Sequence, residues 1–378
     1  MSRSIAQWKL WAATPAGNRI CCLLLSLVLL APCYWQPRLH AADLASRMDY
    51  GWFTDWIESG AWQGLTTVRQ TTGVLFDVLL AGTTRMFGTE IGPRLCVSMT
   101  VLIFVWGAFA FVSVVSGRRP WHLLASIAML AYGWVFHMGF FNFYLSLGLC
   151  FWVLALVCET SPRRCAMAVP ILVLAYTAHA LPVAWTVWLA LYLWLGRRVT
   201  VRVRGYFLSA SLLLIMLGFF AAGRAVYSSW TPDRILMATG GGQVWMFDRK
   251  YDLVFVGLLL VWGLLFLDLL RQSGPRQIVS ATAFQICMIS TAAVALLPAT
   301  ILLPGFDHAL IYVAERMSLG VGVCVCALLG LARPRTFERW ALVAVALIFF
   351  CFIYRDERTF NSFQDRMEDT IALTGGQY

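Results

Sequence analysis

The sequence predicts a polytopic membrane protein built from α-helices, and two observations carry this prediction. First, 60% of the 378 residues are hydrophobic and only 13% are charged, which gives a mean hydropathy of +0.73. A soluble domain of this length could not remove so much apolar surface from water. Second, several apolar runs approach the length of about 20 residues that a helix needs to cross a bilayer. We therefore expect a single all-α transmembrane domain.

The apolar runs predict about eleven transmembrane helices, with about nine to thirteen as the range. Two pairs, within 122–157 and 166–195, are shorter than a full crossing requires. Flanking residues either extend them, or they enter the membrane without crossing it. The predicted spans are Ile20–Trp35, Leu95–Ser116, His122–Phe136, Phe143–Val157, Ala166–Tyr176, Ala180–Leu195, Tyr206–Ala222, Leu253–Leu270, Ile278–Leu303, Ala309–Leu331 and Trp340–Tyr354.

The placement of basic residues predicts the orientation, because cytoplasmic segments of membrane proteins are rich in lysine and arginine. With a cytoplasmic N-terminus, the inner segments hold 16 basic residues against only Glu159, Asp268 and Glu338. The net charge of +10 is therefore mainly a topology signal, and we expect membrane lipids but no nucleic acid as partners. The basic residues are Arg3, Lys9, Arg19, Arg118, Arg119, Arg163, Arg164, Arg197, Arg198, Arg202, Arg204, Arg271, Arg276, Arg333, Arg335 and Arg339.

Two predicted outer segments, 36–93 and 223–252, are too long to be simple turns. In the first, the aromatic side chains of 52–56 share one helical face, which is typical of a helix at the headgroup boundary. Residues 72–86 predict a second surface helix. In the second segment, three successive glycines at 240–242 predict a flexible loop. The charged stretch 355–378 is either a surface helix or a disordered tail.

A break between two helices is predicted at Gly139, because glycine tolerates backbone conformations that end a helix. His137 and Asn142 flank this break, and Asn142 is placed to cap the helix that follows. The two side chains either line a binding site or only satisfy backbone groups that the break frees, as a membrane interior demands. A second break is predicted at 176–182, where His179 precedes Pro182. His179 has the same two interpretations.

Glu315 and Arg316 are the ionisable residues placed deepest in an apolar run. They lie about seven residues into the span that begins near Ala309, at a predicted depth of about 10 Å. Ionisable side chains at such a depth usually face a cavity or a partner. The alternative is a pair that extends its charged groups to the interface. Arg316 is therefore a candidate ligand for a lipid phosphate.

Carboxylates and histidines gather on the predicted outer face. An outer carboxylate could act as a general base on an acceptor hydroxyl or bind a divalent cation. The alternative is that these are solvated loop carboxylates. The histidines and the eleven cysteines show no spacing typical of a metal site. The acidic residues of the first outer segment are Asp43, Asp49, Asp55 and Glu58, and the outer histidines are His40, His137, His179 and His308.

The layout resembles the GT-C superfamily of membrane glycosyltransferases, and uncharacterised bacterial membrane proteins of that type. The similarity rests on Asp49-Tyr50 leading to Gly60, on Gly139-Phe-Phe-Asn-Phe-Tyr-Leu-Ser-Leu-Gly148, and on the helix-turn histidine His179. It covers most of the chain in layout and about thirty residues in motif. It implies a GT-C-like fold with surface helices in the first outer loop of a bacterial inner-membrane protein.

The resemblance also implies transfer of a sugar from a polyprenyl-phosphate donor to an acceptor at the outer face. Asp49 is then the expected catalytic base, a divalent cation is a candidate cofactor, and the expected substrate-binding residues are His137, Asn142, His179, Glu315 and Arg316. Related proteins often carry paired acids in the first loop, whereas Asp43 and Asp49 each stand alone. A non-catalytic partner in envelope assembly therefore stays open. A transporter or lipid flippase is the second hypothesis, and it ranks below the transferase because the sequence shows no internal repeat.

Overall fold

The computed structural model describes residues 15–60, 70–159, 161–200, 202–225, 227–229, 234–298, 300–302 and 310–373. Helices dominate this part of the chain, in agreement with the predicted class. They are α1 (Pro15–Leu30), α2 (Ala42–Glu58), α3 (Leu75–Ser116), α4 (Leu124–Ala131), α5 (Trp134–His137), α6 (Phe141–Cys158), α7 (Pro162–Ala178), α8 (Ala180–Gly196), α9 (Arg204–Ala225), α10 (Arg234–Met237), α11 (Tyr251–Ser273), α12 (Pro275–Ser280), α13 (Thr282–Leu296), α14 (Val313–Leu329) and α15 (Thr336–Leu373).

Five helices in the described ranges, α3, α6, α9, α11 and α15, are long and apolar enough to cross a membrane. Shorter apolar helices cover Arg19–Cys33, Ala180–Gly196 and Thr282–Leu296. These are the helices of a membrane protein, but the predicted number of about eleven spans is not confirmed. One predicted span, His122–Phe136, is instead a 3₁₀ turn at Trp121–Leu123 followed by the short helices α4 and α5.

A small antiparallel sheet interrupts two of the predicted spans. It consists of β1 (Tyr227–Ser229), β2 (Thr300–Leu302) and β3 (Leu310–Ile311), in that order. Tyr227 pairs with Leu302, and Thr300 pairs with Ile311. The predicted helix over 278–303 is therefore extended near its C-terminal end. The predicted helix over 309–331 is extended near its N-terminal end. Their helical parts are α13 and α14.

Helix α3 is two helices folded back on each other at Gly88. The backbone of Gly88 has φ 82° and ψ 171°, values outside the helical region that glycine adopts without a steric penalty. A side-chain carbon at Gly92 would lie 2.5 Å from the Cα of Thr84, so the two arms are in close contact. Residues 75–87 thus form a separate helix where a surface helix was predicted over 72–86.

Basic residues lie together near the ends of several helices, as the sequence predicts. Arg118 donates to the carbonyl of Gly330, and Arg197 donates to the carbonyl of Cys158. These contacts, with those of Arg204 and Arg335, bring the basic turns of the chain to one end of the bundle. We call it the arginine end, defined by the described arginines in 118–119, 163–164, 197–204, 271–276 and 333–339. The opposite end, with His40, His137 and His179, is the histidine end.

Two alternatives were predicted for the C-terminal stretch, a helix or a disordered tail. The stretch is helical as far as Leu373, where α15 ends. Its 38 residues span about 57 Å at 1.5 Å per residue, more than the hydrocarbon core of about 30 Å. The last turns therefore extend past the apolar region at the histidine end. Glu357 and Asn361 are buried on this extension because the segment that follows α1 packs against it.

The three glycines at 240–242 are buried, so the predicted flexible loop is wrong. They open a 3₁₀ helix, Gly241–Val244, that packs against α14. A side-chain carbon at Gly240 would lie only 2.2 Å from the backbone nitrogen of Gly322. The glycines serve close packing between two backbones rather than mobility.

Candidate functional site

The break between α5 and α6 is in direct contact with the start of α2. Gly139 has φ +76°, and a side-chain carbon there would lie 2.5 Å from the backbone nitrogen of Asp43. That nitrogen donates to the carbonyl oxygen of Met138 at 3.4 Å. The first loop is therefore held against the break by a backbone contact that only glycine permits. Asp43 lies at this contact and is half-buried.

Arg316 lies on the other side of the same break. Its guanidinium carbon is 3.7 Å from the ring centre of Phe140, which is a close cation–π contact. Glu315 is buried beside it. Both residues belong to the first turn of α14, whereas the apolar run predicts that they lie about two turns into a helix. The reason is that α14 begins only at Val313, after the strand β3 and Tyr312, whose φ of 57° is incompatible with a helix.

Opposite charges surround the Arg316 guanidinium. Asp43 and Glu315 interact with it favourably, whereas Arg47 repels it. Arg47 in turn forms an ion pair with Asp77, with 2.7 Å between Nη1 and Oδ1. The cluster of Asp43, Arg47, Glu315 and Arg316 thus combines two guanidinium groups with two carboxylates at the histidine end.

Asn142 connects this cluster to α3. Its Oδ1 accepts from the backbone nitrogen of Phe76 at 2.8 Å, and its Nδ2 donates to Asp77 Oδ2 at 2.8 Å and to the carbonyl of Gly73 at 2.7 Å. The prediction that Asn142 caps its own helix is therefore wrong. It caps α3 across the interface instead, because Phe76 is the second residue of α3 and its N–H has no partner within that helix.

His179 lies between α7 and α8 and caps α8. Its Nδ1 accepts from the backbone nitrogen of Leu181 at 3.2 Å. Burial, with the charges of Arg316 and Arg47, lowers the pKa of His179 to about 4. The ring is therefore neutral at pH 7, and because Nδ1 is an acceptor, Nε2 carries the hydrogen. The interpretation as a hydrogen-bonded junction histidine holds, and it leaves one N–H donor available.

His137, the last residue of α5, belongs to a second cluster that forms against α15. Its Nδ1 lies 3.3 Å from the carbonyl of Gly133, and its Nε2 lies 3.5 Å from Glu357 Oε1. The other carboxylate oxygen of Glu357 accepts from the indole nitrogen of Trp35. The side chains of His137 and Glu357 are 4% and 2% exposed, so both are removed from water. His137 thus anchors the break to α15 and to the segment after α1.

His40 completes this second cluster. Its ring stacks on Phe360 with 4.3 Å between ring centres. Burial and the nearby His137 lower the pKa of His40, while the charge of Glu357 opposes that effect. Sequence reasoning missed Glu357, because 355–378 reads as a charged surface stretch. The signal that could have found it is the helical spacing of Phe349, Ile353, Glu357 and Asn361, which all lie on the buried face of α15.

The structure brings several predicted residues together and leaves others undetermined. Asn142, His179, Glu315 and Arg316 meet at the first loop, whereas His137 is directed to Glu357. The backbone of Asp49 lies in α2, but its side chain is outside the described residues. The same holds for the side chains of Asp55 and Glu58, and for the whole of His308. Among the described residues, no three histidine, cysteine, aspartate or glutamate side chains form a metal site.

An apolar groove of about 570 Å³ opens near the histidine end of the bundle. Its walls come from α8, α9, α13 and β2, and they include Trp185, Ile215 and Phe219. At the histidine end the groove reaches Leu181, two residues after His179, and Met317, the neighbour of Arg316. The lining thus contains close sequence neighbours of His179 and Arg316.

No protein-family model, curated protein or solved structure matches this chain. The similarity to the GT-C superfamily therefore rests on the layout and the motifs of the sequence alone.

Proposed function

We propose that this chain is a GT-C-like glycosyltransferase of a bacterial inner membrane, with its N-terminus in the cytoplasm. It moves a sugar from a polyprenyl-phosphate donor to an acceptor at the outer face, which is the histidine end of the bundle. The observation that carries the proposal is the groove of about 570 Å³, whose lining includes Leu181 and Met317, close in sequence to His179 and Arg316. A long isoprenoid chain needs an apolar groove, and its phosphate needs fixed donors at one end of that groove.

Two side chains supply those donors. The Nε of Arg316 is buried and makes no hydrogen bond within the described part of the chain. A buried donor without a partner destabilises the protein, and a hydrogen bond to a phosphate oxygen would remove that cost. The Nε2–H of His179 is the second donor. Stacking on Phe140 fixes the plane of the Arg316 guanidinium, so its donors are oriented before the lipid binds.

Asp43 and Asp49 are the candidate bases for the acceptor. In the transfer, the bond between the sugar carbon and the donor phosphate oxygen breaks, and a bond to the acceptor oxygen forms. The acceptor proton moves to the carboxylate, and the polyprenyl phosphate leaves. The resemblance favours Asp49, whereas the contact of Asp43 with Gly139 and its interaction with Arg316 support Asp43.

Release of polyprenyl phosphate tests the proposal without knowledge of the acceptor, because every donor sugar leaves the same lipid product. The purified chain in lipid nanodiscs is incubated with polyprenyl-monophosphate sugars and an envelope extract, and the released lipid is measured by mass spectrometry. Of the two variants Asp43→Asn and Asp49→Asn, the one that removes the base should lower the release of polyprenyl phosphate about 10²–10⁴-fold. The matched control Asp369→Asn, at an exposed position of α15, should release lipid at the wild-type rate.

The same assay separates the rival functions. Wild-type protein that binds the donor but releases no polyprenyl phosphate contradicts a transferase and favours a lipid flippase, which a scramblase assay with labelled lipid then tests. Release that is unchanged in both aspartate variants also contradicts the proposal. Absence of donor binding, together with co-purification of a stable protein partner, favours a non-catalytic role in envelope assembly.

A further inference from the structure

A cavity of about 190 Å³ lies at the arginine end of the bundle, among the ends of five helices. Its lining includes Val115 at the end of α3, Cys158 at the end of α6, and Arg197 after α8. Arg204 and Thr282, the first residues of α9 and α13, complete it. The cavity and the proposed donor site lie at opposite ends of α8, so this is a separate site.

Buried polar side chains form one wall of the cavity. Tyr192 and Gln285 are 5% and 3% exposed. The hydroxyl of Tyr192 donates to Gln285 Oε1 at 3.0 Å, and Gln285 Nε2 donates to the carbonyl of Val279 at 3.1 Å. These hydrogen bonds offset the cost of burying the two polar groups and fix their positions. The wall is therefore ordered before any ligand enters.

Two arginines supply positive charge. Arg197 is fixed by hydrogen bonds from Nη2 to the carbonyls of Val157 and Cys158, at 3.1 and 2.9 Å. Arg204 makes one long contact within the described residues, 3.5 Å from Nη1 to the carbonyl of Ser280. Its Nε is buried and has no hydrogen-bond partner in the part of the chain that the structure describes. Among the described residues, no carboxylate lines the cavity.

The start of α13 adds further donors. This helix has 15 residues, and its N-cap residue Ala281 has no side chain that could accept from the first N–H groups. No side-chain hydrogen bond caps this helix start, and Thr282, its first residue, lines the cavity. Arginine side chains beside an uncapped helix start are a favourable arrangement for an anion.

We propose that this cavity binds a phosphate group. A volume of about 190 Å³ is below that of pockets for drug-sized ligands, which are roughly 300–1,000 Å³, so a small head group fits better than a nucleotide. The expected source is an anionic phospholipid, because α9 forms part of the cavity and only 11% of its apolar window is buried in the protein. Basic pockets between membrane helices bind such head groups. Inorganic phosphate is the other source of the same chemistry.

The test compares the thermal stability of the full chain in nanodiscs of phosphatidylcholine with and without phosphatidylglycerol. Phosphatidylglycerol should raise the melting temperature of the wild type. Arg204→Gln should bind phosphatidylglycerol at least about tenfold more weakly, because a charge-assisted hydrogen bond is lost. The matched control Arg202→Gln removes the same charge from an exposed position two residues away and should keep the wild-type shift.

Inorganic phosphate, compared with chloride at equal ionic strength, identifies the source. A shift with phosphate in neutral nanodiscs that Arg204→Gln removes supports the site and assigns it to free phosphate. A shift with phosphatidylglycerol alone supports the site and assigns it to lipid. Equal loss of the shift in Arg204→Gln and Arg202→Gln overturns the proposal, because the effect is then one of general surface charge. Absence of any shift in the wild type overturns it as well.

Discussion

His137 Nε2 lies 3.5 Å from Glu357 Oε1, and both side chains are almost completely buried. Nδ1 of His137 is directed at the carbonyl of Gly133 and must carry a hydrogen to bond with it. Neither His137 Nε2 nor Glu357 Oε1 has another hydrogen-bond partner among the described residues. The pair joins the Gly139 break to α15.

Removal of one partner of this pair should destabilise the protein strongly. In Glu357→Ala, both His137 and Trp35 lose a buried partner, and breaking such a pair typically costs about 3–5 kcal/mol. In Glu357→Gln, the amide oxygen still accepts from Trp35 and the amide N–H can donate to a neutral His137, so the cost should be about 1 kcal/mol. Thermal unfolding in detergent micelles measures the difference.

The neighbouring Arg358 provides the control for the Glu357 variants. Arg358 is exposed on the same turn of α15, so Arg358→Ala should change the unfolding free energy by no more than about 0.5 kcal/mol. Equal losses in Glu357→Ala and Glu357→Gln would show that the negative charge, rather than the hydrogen-bonding shape, stabilises the junction.

The sequence predicted the helical class and the position of the Gly139 break, because glycine and the apolar runs act locally. It did not predict which partners the break would meet. Asn142 has the residue type of a helix cap, but its partner Phe76 lies 66 positions earlier in the chain. Nothing in the local pattern distinguishes a cap of the same helix from a cap across an interface.

Glu357 and the start of α14 were unpredictable for related reasons. A carboxylate in a charged C-terminal stretch is normally solvated, but here the docking of Trp35 and His137 buries it. The apolar run before Glu315 has the composition of a helix, yet residues 310–311 pair with β2. In both places, long-range contacts override the local preference.

Gly139→Ala should impair the transferase reaction without abolishing folding. An alanine at φ +76° pays a backbone cost of about 1–2 kcal/mol, and its side-chain carbon displaces Asp43. We expect release of polyprenyl phosphate to fall at least about tenfold, since small misplacements of a reacting group are costly. The control is Gly117→Ala, which pays the same backbone cost at φ +67° but meets no atom within 4 Å. Equal activity of the two variants would contradict a role for the Asp43 contact.

Asn142 should be energetically coupled to Asp77. The amide of Asn142 donates to one carboxylate oxygen of Asp77 and so orients the other oxygen toward Arg47. Asn142→Ala leaves the buried N–H of Phe76 and the carbonyl of Gly73 without a partner, at a cost of roughly 1–3 kcal/mol. A double-mutant cycle with Asp77→Asn should give a coupling of about 0.5–3 kcal/mol. The same cycle with Arg38→Gln, whose ion pairs are with α15, should be additive. Additivity in both cycles would contradict the network.

His179 should make the protein less stable in acid. Its folded pKa of about 4 lies below the ordinary value of 6.5, so the unfolded chain takes up a proton first as the pH falls. The stabilising contribution is complete above a pH of about 6.5 and is lost progressively toward pH 4. His179→Asn keeps a side-chain oxygen that can cap α8 but does not titrate.

The melting temperature of His179→Asn should therefore fall less between pH 7 and pH 4.5 than that of the wild type. His122, whose pKa burial lowers to about 4, remains in both proteins, and so does His40. The difference between the two curves thus isolates His179. Curves that run parallel over this range would show that His179 has the same pKa in the folded and the unfolded protein, which would contradict a folded pKa lowered by burial.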